Sequence, residues 1–257
     1  MQSPNTRKGM KTMADPVALI TGSARRIGAD IVRTLHGKGM RVIIHYRSSK
    51  NDAQSLADSL NAARPDSAAL LQADLDQPDQ VRQLAADALA CFGRMDLLVN
   101  NASSFYPTPV EQADDDDWDR LIHSNLRAPF ILSQQLAAAL RQQQGSIINI
   151  VDVYAEKPLK NHTLYCMAKA GLAMMTRSLA RELGPDIRVN GVSPGPILWP
   201  EAGQMNQQAI QDATALKRCG TPQDIAQTVW WLGTQAPFVT GQILAVDGGR
   251  SLTLQGS

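Results

Sequence analysis

Long apolar runs are missing from this sequence. No stretch approaches the ~18 consecutive apolar residues that a membrane span requires, so no membrane partner is expected. A surplus of charge is missing too. With 25 Lys and Arg against 24 Asp and Glu, the formal net charge is +1, which leaves no global field to attract nucleic acid. Cysteine is scarce. Cys91, Cys166 and Cys219 are scattered, odd in number and without metal-ligand spacing. That argues against disulfides and against a metal site, and it suits a reducing, cytoplasmic setting. Residues 1–15 are polar and have no apolar centre, so they are expected to form a flexible N-terminal tail and not a secretory signal. Met10 and Met13 are alternative starts. What remains is 44% hydrophobic and 19% charged, the composition of a globular chain with a large core.

The rest of the sequence alternates. Short β-branched runs at 17–21, 41–46, 68–73, 97–100, 146–151, 188–192 and 242–246 read as strands, and helical periodicity fills 27–37, 52–64, 78–92, 118–143, 163–183 and 222–232. Strand–helix alternation predicts a single-domain α/β Rossmann fold over 16–257. Its sheet is doubly wound, mostly parallel and seven-stranded, with helices on both faces. No repeat or composition break divides it. The longest irregular stretch, 194–218, is rich in Pro, Gly, Gln and Asn and follows a strand, so it is expected to be a substrate loop.

Chemistry-bearing residues fall at the carboxyl ends of these strands. Thr21 to Gly28 (TGSARRIG) joins the first strand to the first helix, where a dinucleotide's pyrophosphate meets a helix N-terminus. Gly22 permits the tight turn and Gly28 close packing of helix on strand. Arg26 stands where a middle glycine is usual, so backbone approach is expected to suffer, although a guanidinium can itself contact phosphate. The second strand ends His45-Tyr46-Arg47-Ser48-Ser49, with no acid before Asp52 to hold a ribose 2′-hydroxyl. Arg47 and the two serines suit a 2′-phosphate, hence NADPH. Asp74-Leu75 closes the third strand, where the carboxylate can accept from an adenine amino group. Asn100-Asn101-Ala102-Ser103 closes the fourth, and Asn125 follows in a helix, where it can hold a water against Lys169.

Tyr165 and Lys169 are four residues apart and share a helix face. A free tyrosine titrates near ~10, too high for neutral acid–base work. A neighbouring ammonium is expected to lower that value, letting Tyr165 give a proton to an atom that receives hydride. Asp152 lies thirteen residues before Tyr165.

Thr21-Gly22 … Gly28, Asn100-Asn101-Ala102, Asn125, Tyr165 … Lys169, Pro194-Gly195 and Asp247-Gly248-Gly249 together resemble the short-chain dehydrogenase/reductase family over roughly residues 16–250. Arg26 for the middle glycine, Asp152 for the family's usual serine, and Ser103-Ser104-Phe105 after Asn-Ala resemble its pteridine reductase branch. So do His45-Tyr46 and the Tyr165-Cys-Met-Ala-Lys169 run. That resemblance implies an NADPH-dependent reduction of a dihydropterin or dihydrofolate. Asp152, Tyr165, Lys169 and Asn125 are the implied catalytic set. Gly22, Arg26, Ile27, Gly28, His45, Tyr46, Arg47, Ser48, Ser49, Asp74, Leu75, Asn101, Ala102, Ser103, Tyr165, Lys169, Pro194, Gly195 and Ile197 are implied around the cofactor. Arg26, Ser103, Phe105, Asp152 and Tyr165 are implied around the substrate, with Phe105 stacked on the pterin. A homotetramer is implied as well. A carbonyl or ketoacyl reductase of the same family, and a catalytically silent NADP sensor, remain alternatives.

Overall fold

A computed structural model describes residues 15–197 and 207–252. The expected tail therefore lies outside the described residues apart from Asp15, as does 198–206 of the expected substrate loop.

The chain runs β1 (Val17–Ile20), α1 (Arg26–Gly37), β2 (Arg41–Tyr46), α2 (Lys50–Ala63), β3 (Ala68–Gln72), α3 (Pro78–Phe92), β4 (Leu97–Asn100) and α4 (Asp115–Ile122). It continues with α5 (Ala128–Gln142), β5 (Ser146–Ile150), α6 (Thr163–Leu183), β6 (Arg188–Pro194), α7 (Gln207–Asp212), α8 (Pro222–Trp230) and β7 (Ile243–Val246). The strands make one sheet in the order β3-β2-β1-β4-β5-β6-β7, and every pairing is parallel. β1, β4 and β5 read VALI, LLVN and SIINI and are buried along their whole length. Nearly unbroken apolar runs are what a parallel strand covered on both faces requires.

Two cores lie on the two sides. Ile31 and Leu35 of α1, Leu56 of α2, and Ile225 and Val229 of α8 pack on Ala18, Ile20, Val42 and Ile44. Val81 and Leu84 of α3, Leu132 and Leu136 of α5, and Leu179 of α6 pack on Val17, Leu19, Ile43 and Leu98. Adjacent strand residues thus serve opposite cores, as pleating dictates.

Local chemistry sets several helix starts. The Asp114 side chain accepts from Asp117 N at 2.8 Å, and Asp115–Asp117 fill the first turn of α4, favourable for a cap and for the helix dipole. Thr221 and Asp224 form a reciprocal capping box on α8, with Pro222 in its first turn,.

The structure departs from the expected elements in the helices. The helix expected at 118–143 begins at Asp115, drawn back by that cap, and is interrupted by a π turn at His123–Arg127. There the Asn125 Nδ2 donates to Leu121 O and the Ser124 Oγ to Arg120 O. Such side-chain bonds compete with the helix ladder, and side-chain periodicity does not reveal the extra residue of a wider turn. The helix expected at 222–232 is α8 followed by a π turn at Trp231–Gln235. Inside the expected loop 194–218, α7 forms one short helix.

At the amino-terminal ends of the central strands, Asp96 ties β1 to β4. Its carboxylate accepts from Val17 N at 2.8 Å and from Arg94 Nε at 2.9 Å, and its carbonyl accepts from Ser146 N at 2.9 Å. A Cβ on Gly145 would lie 2.5 Å from that carbonyl oxygen. Because the obstacle is backbone, Gly145→Ala is expected to destabilise the fold by about 2 kcal/mol. Thermal denaturation should record a Tm loss of about 4–8 °C. An unchanged Tm would mean that the β4–β5 edge is more compliant than this contact implies.

Candidate active site

Strand order reverses between β1 and β4, with β2 and β3 on one side and β5 to β7 on the other. Their carboxyl ends diverge and open a crevice. The turn after β1 is built to be approached closely. Gly22 has φ +60°, and a Cβ there would lie 2.8 Å from Ala102 Cα. A Cβ on Gly28 would meet Gly22 O and Ser23 Cα at 2.6 Å. Arg26 has φ 56°, so the chain keeps a glycine-like path at roughly 1 kcal/mol of strain. The missing glycine thus changes the side chain and leaves the turn's course intact. α1 has no acid in its first turn and, among the described residues, no side-chain cap, which leaves its N–H groups and dipole to an anion.

A clamp holds this turn. The Thr21 Oγ1 accepts from Asn101 N and Ala102 N, both at 3.0 Å. The Asn101 Nδ2 donates to the carbonyls of Thr21 at 2.9 Å and Gly22 at 3.0 Å. From below, the buried His45 Nδ1 accepts from Gly22 N at 3.0 Å and its Nε2 donates to Ala73 O at 3.1 Å. Both ring nitrogens are committed to backbone, so His45 supports the turn from behind instead of facing the crevice. Burial holds its pKa down at about 4.

Around the crevice, Ile27 and Tyr46 are half-buried, and Leu75 is buried. A depression of about 340 Å³ is lined by Arg25, Ser48, Ser49, Lys50, Asn51 and Asp52. Arg47 does not turn toward it: its Nη1 lies 3.3 Å from Asp76 Oδ2 and 4.0 Å from Asp74 Oδ1. Pro194 ends β6, and a Cβ on Gly195 would lie 2.5 Å from the Asp247 Cβ, so the Asp247-Gly248-Gly249 turn presses on that strand end. Ile197 is buried against Gly220, where a Cβ would meet its Cδ1.

The chemical centre lies where β5 meets α6. Tyr165 and Lys169 are 4% and 2% exposed. The Asp152 Oδ1 accepts from Tyr154 N at 3.0 Å, and its Oδ2 accepts from the Tyr165 hydroxyl at 2.7 Å. The Lys169 Nζ donates to Ile150 O at 2.9 Å and lies 5.7 Å from the Tyr165 ring centroid. Burial raises the Asp152 carboxyl, opposed by the Tyr154 N–H, Tyr165 and Lys169. Burial, then the Asp152 charge, push the Tyr165 phenol well up, with a Ser103 hydrogen bond opposing. Burial lowers Lys169 to about 8 against the pull of Asp152. The expectation that Lys169 would lower Tyr165 is corrected here: burial outweighs the ammonium, which is tied to a carbonyl, and the Asp152 carboxylate accepts a hydrogen bond from the protonated phenol,.

Asn125 is also otherwise engaged than expected. Its Oδ1 accepts from the Ser103 Oγ at 2.6 Å, and its Nδ2 donates to Ser104 O at 2.9 Å. It fixes the loop after β4 and does not reach toward Lys169 with this amide. That loop carries Phe105, half exposed at the mouth. Its ring stacks on His162 with centroids 4.7 Å apart and meets Tyr165 edge-on at 4.8 Å. His162 and Asp76 were not singled out from sequence, and no motif or spacing marks either.

Among the described residues no group of three or more His, Cys, Asp or Glu is arranged to hold a metal, and no helix is long and apolar enough to cross a membrane. A family model described as enoyl-(acyl carrier protein) reductase matches residues 22–251. Pteridine reductase 1 of Leishmania tarentolae is 37% identical over 93% of this chain and 97% of its own. A short-chain type dehydrogenase/reductase of Picea abies is 34% identical over 91% and 92%, and a 3-oxoacyl-[acyl-carrier-protein] reductase of Synechocystis sp. is 33% identical over 93% and 98%. Among solved structures, a blue fluorescent protein from a metagenomic library in complex with NADPH is 39% identical, covers 91% of this chain and 97% of its own, and superposes with a TM-score of 0.86.

The His45 clamp makes the fold acid-sensitive. Its folded pKa of about 4 lies below the ordinary 6.5, so the unfolded chain binds more protons between those values. The stabilisation is complete above pH ~6.5 and is lost as pH falls toward ~4, with a magnitude of about 3 kcal/mol. Denaturant titrations across this window should give a flatter stability profile for His45→Asn than for the wild type. Equal slopes would assign the acid sensitivity to other groups.

Proposed function

The chain belongs to the short-chain dehydrogenase/reductase family, and on that premise we propose that it is an NADPH-dependent pteridine reductase. Its reaction carries hydride to the ring of a dihydropterin or dihydrofolate and yields the tetrahydro form. The observation that carries this reading is the 2.7 Å bond from the Tyr165 hydroxyl to Asp152. A carboxylate held beside the phenol repels a ketone oxygen. It suits a ring that presents an amino group and N–H donors.

The residues fit the cofactor. The uncapped, acid-free start of α1 suits a pyrophosphate, and the Arg25, Ser48, Ser49 and Lys50 rim suits a ribose phosphate. NADPH supplies the hydride when bound. Lys169 would hold the nicotinamide ribose. Tyr165 stays protonated at neutral pH, since its phenol is pushed up, and donates to a quinonoid or fully oxidised ring. For the C=N of a dihydropterin, water held near Asp152 and Arg26 brings the proton, and the raised carboxyl of Asp152 relays it. Phe105 supplies a stacking face, Ser103 a hydrogen bond to pterin or cofactor, and Asn125 fixes both by holding their loop. A cytoplasmic homotetramer belongs to the same reading, and exposed Trp118, Phe130, Met167 and Met174 on α4, α5 and α6 would suit its subunit interfaces.

The ketoacyl reductase relative defines the competing substrate. NADPH oxidation measured with dihydrobiopterin, dihydromonapterin, dihydrofolate and a 3-ketoacyl thioester should give turnover with the pterins and little with the thioester. The reverse order would reject the pteridine reading, and no turnover with any substrate would point to a sensor.

Three substitutions at two positions probe the roles. Asp152→Ala should lower kcat with dihydropterin by at least tenfold, within the ~10²–10⁴ that a positioned acid contributes, and should remove one limb of the pH–rate profile. Asp152→Asn should do the same. Near-wild-type rates in both would reduce Asp152 to a space filler. Phe105→Ala should raise the pterin KM by a factor matching about 1–3 kcal/mol and leave NADPH binding intact. If instead Tm collapses while KM holds, Phe105 is a packing residue.

A further inference from the structure

The end of β2 has no carboxylate of its own, yet the fold brings two to it from beyond β3. Arg47 Nη1 lies 3.3 Å from Asp76 Oδ2 and 4.0 Å from Asp74 Oδ1. The two partners differ in freedom. The Arg47 side chain is 57% exposed, whereas that of Asp76 is 18% exposed. The Asp76 main chain is pinned on both sides. Its N–H donates to the Asp74 Oδ1 at 3.1 Å, and its carbonyl meets the His123 Nδ1 at 3.1 Å. Its Oδ1 is buried and has no hydrogen-bond partner among the described residues. Asp76 is thus a fixed carboxylate with unused accepting capacity, and Arg47 is the more exposed partner.

Beside this pair lies the depression lined by Arg25, Ser48, Ser49 and Lys50. The arginine that lines it is matched in the same way, since Arg25 Nε lies 3.6 Å from Asp52 Oδ2. A dianionic phosphate ester entering here meets guanidinium groups that already have carboxylate partners. It gains Arg47 only by drawing it from Asp76, and it leaves a less compensated carboxylate nearby. Burial, then Asp74, raise the Asp76 carboxyl, while Arg47, Arg120 and His123 hold it down, so losing Arg47 makes that charge costlier.

We propose that Asp76 is a positioning residue that holds Arg47 in competition with the cofactor's 2′-phosphate and so weakens NADPH binding without touching NADH binding. This rests on the NADPH reading above. The absence of an acid on β2 favours the phosphorylated cofactor, and the acid supplied by the β3 side limits how tightly it is kept. An exposed ion pair is weak, so the effect is moderate and confined to the ligand that carries the extra phosphate.

Calorimetric titration of the full chain with NADPH and with NADH reads this directly, without turnover. Asp76→Asn, which keeps the side-chain shape, should tighten NADPH binding by about threefold to tenfold and leave the NADH Kd within about twofold. Asp76→Ser provides a second variant if the amide disturbs folding. Arg47→Ala should weaken NADPH selectively, and in Arg47→Ala/Asp76→Asn the gain from the Asp76 change should vanish. An unchanged or weaker NADPH Kd in both Asp76 variants overturns the proposal. So does equal tightening of both cofactors, or a gain that persists without Arg47. Equal wild-type affinity for NADPH and NADH would sink the NADPH reading itself, and this inference with it.

Discussion

Where β1 and β4 part, their backbone groups lose sheet partners, and each buried N–H or carbonyl needs another. Thr21, His45 and Asn101 meet that need together. The Thr21 hydroxyl serves two N–H groups of the loop after β4, and the Asn101 amide serves two carbonyls of the turn after β1. The His45 ring closes the third side, from β2 to the end of β3. Without this closed set, the Gly22 turn would have no fixed distance from the Ser103–Phe105 loop. Both sides of the crevice depend on it.

Burial governs the chemistry beyond the clamp. Asp152, Tyr165 and Lys169 are drawn from a strand end and one helix into a site that excludes most water. Desolvation is the largest influence on each of their pKa values. It raises the carboxyl and the phenol and lowers the ammonium, so all three are pushed toward their neutral forms. The charges partly resist, because Asp152 raises Lys169 and Lys169 lowers Asp152.

Support for these residues comes from an irregularity. The π turn at His123–Arg127 interrupts what periodicity reads as one helix, and Asn125 within it binds both Ser103 and Ser104. The loop bearing Phe105 is thereby tied to a helix and not left to pack by itself. Phe105 can present a ring at the mouth, against His162 and the edge of Tyr165, because its backbone is held from behind.

The sequence by itself determined the order of strands and helices, because binary pattern and turn chemistry are local. It also settled the turn at Gly22 to Gly28 and the four-residue spacing of Tyr165 and Lys169, since each is a contiguous motif. Tertiary structure alone decided whether a charge or a solvent-starved pocket dominates at Tyr165. Spacing gives proximity to Lys169, but the ammonium's bond to Ile150 and the degree of burial come from β5, a remote strand. It alone brought Asp74 and Asp76 to Arg47, His162 onto Phe105, and His45 beneath Gly22. Each of those pairs joins segments that are distant in the chain, and register and packing between elements, not local propensity, set their distances. The π turn is hidden for a related reason: one added residue leaves side-chain periodicity almost unchanged, and the bonds that Asn125 makes from it to Ser103 and Ser104 join segments distant in the chain.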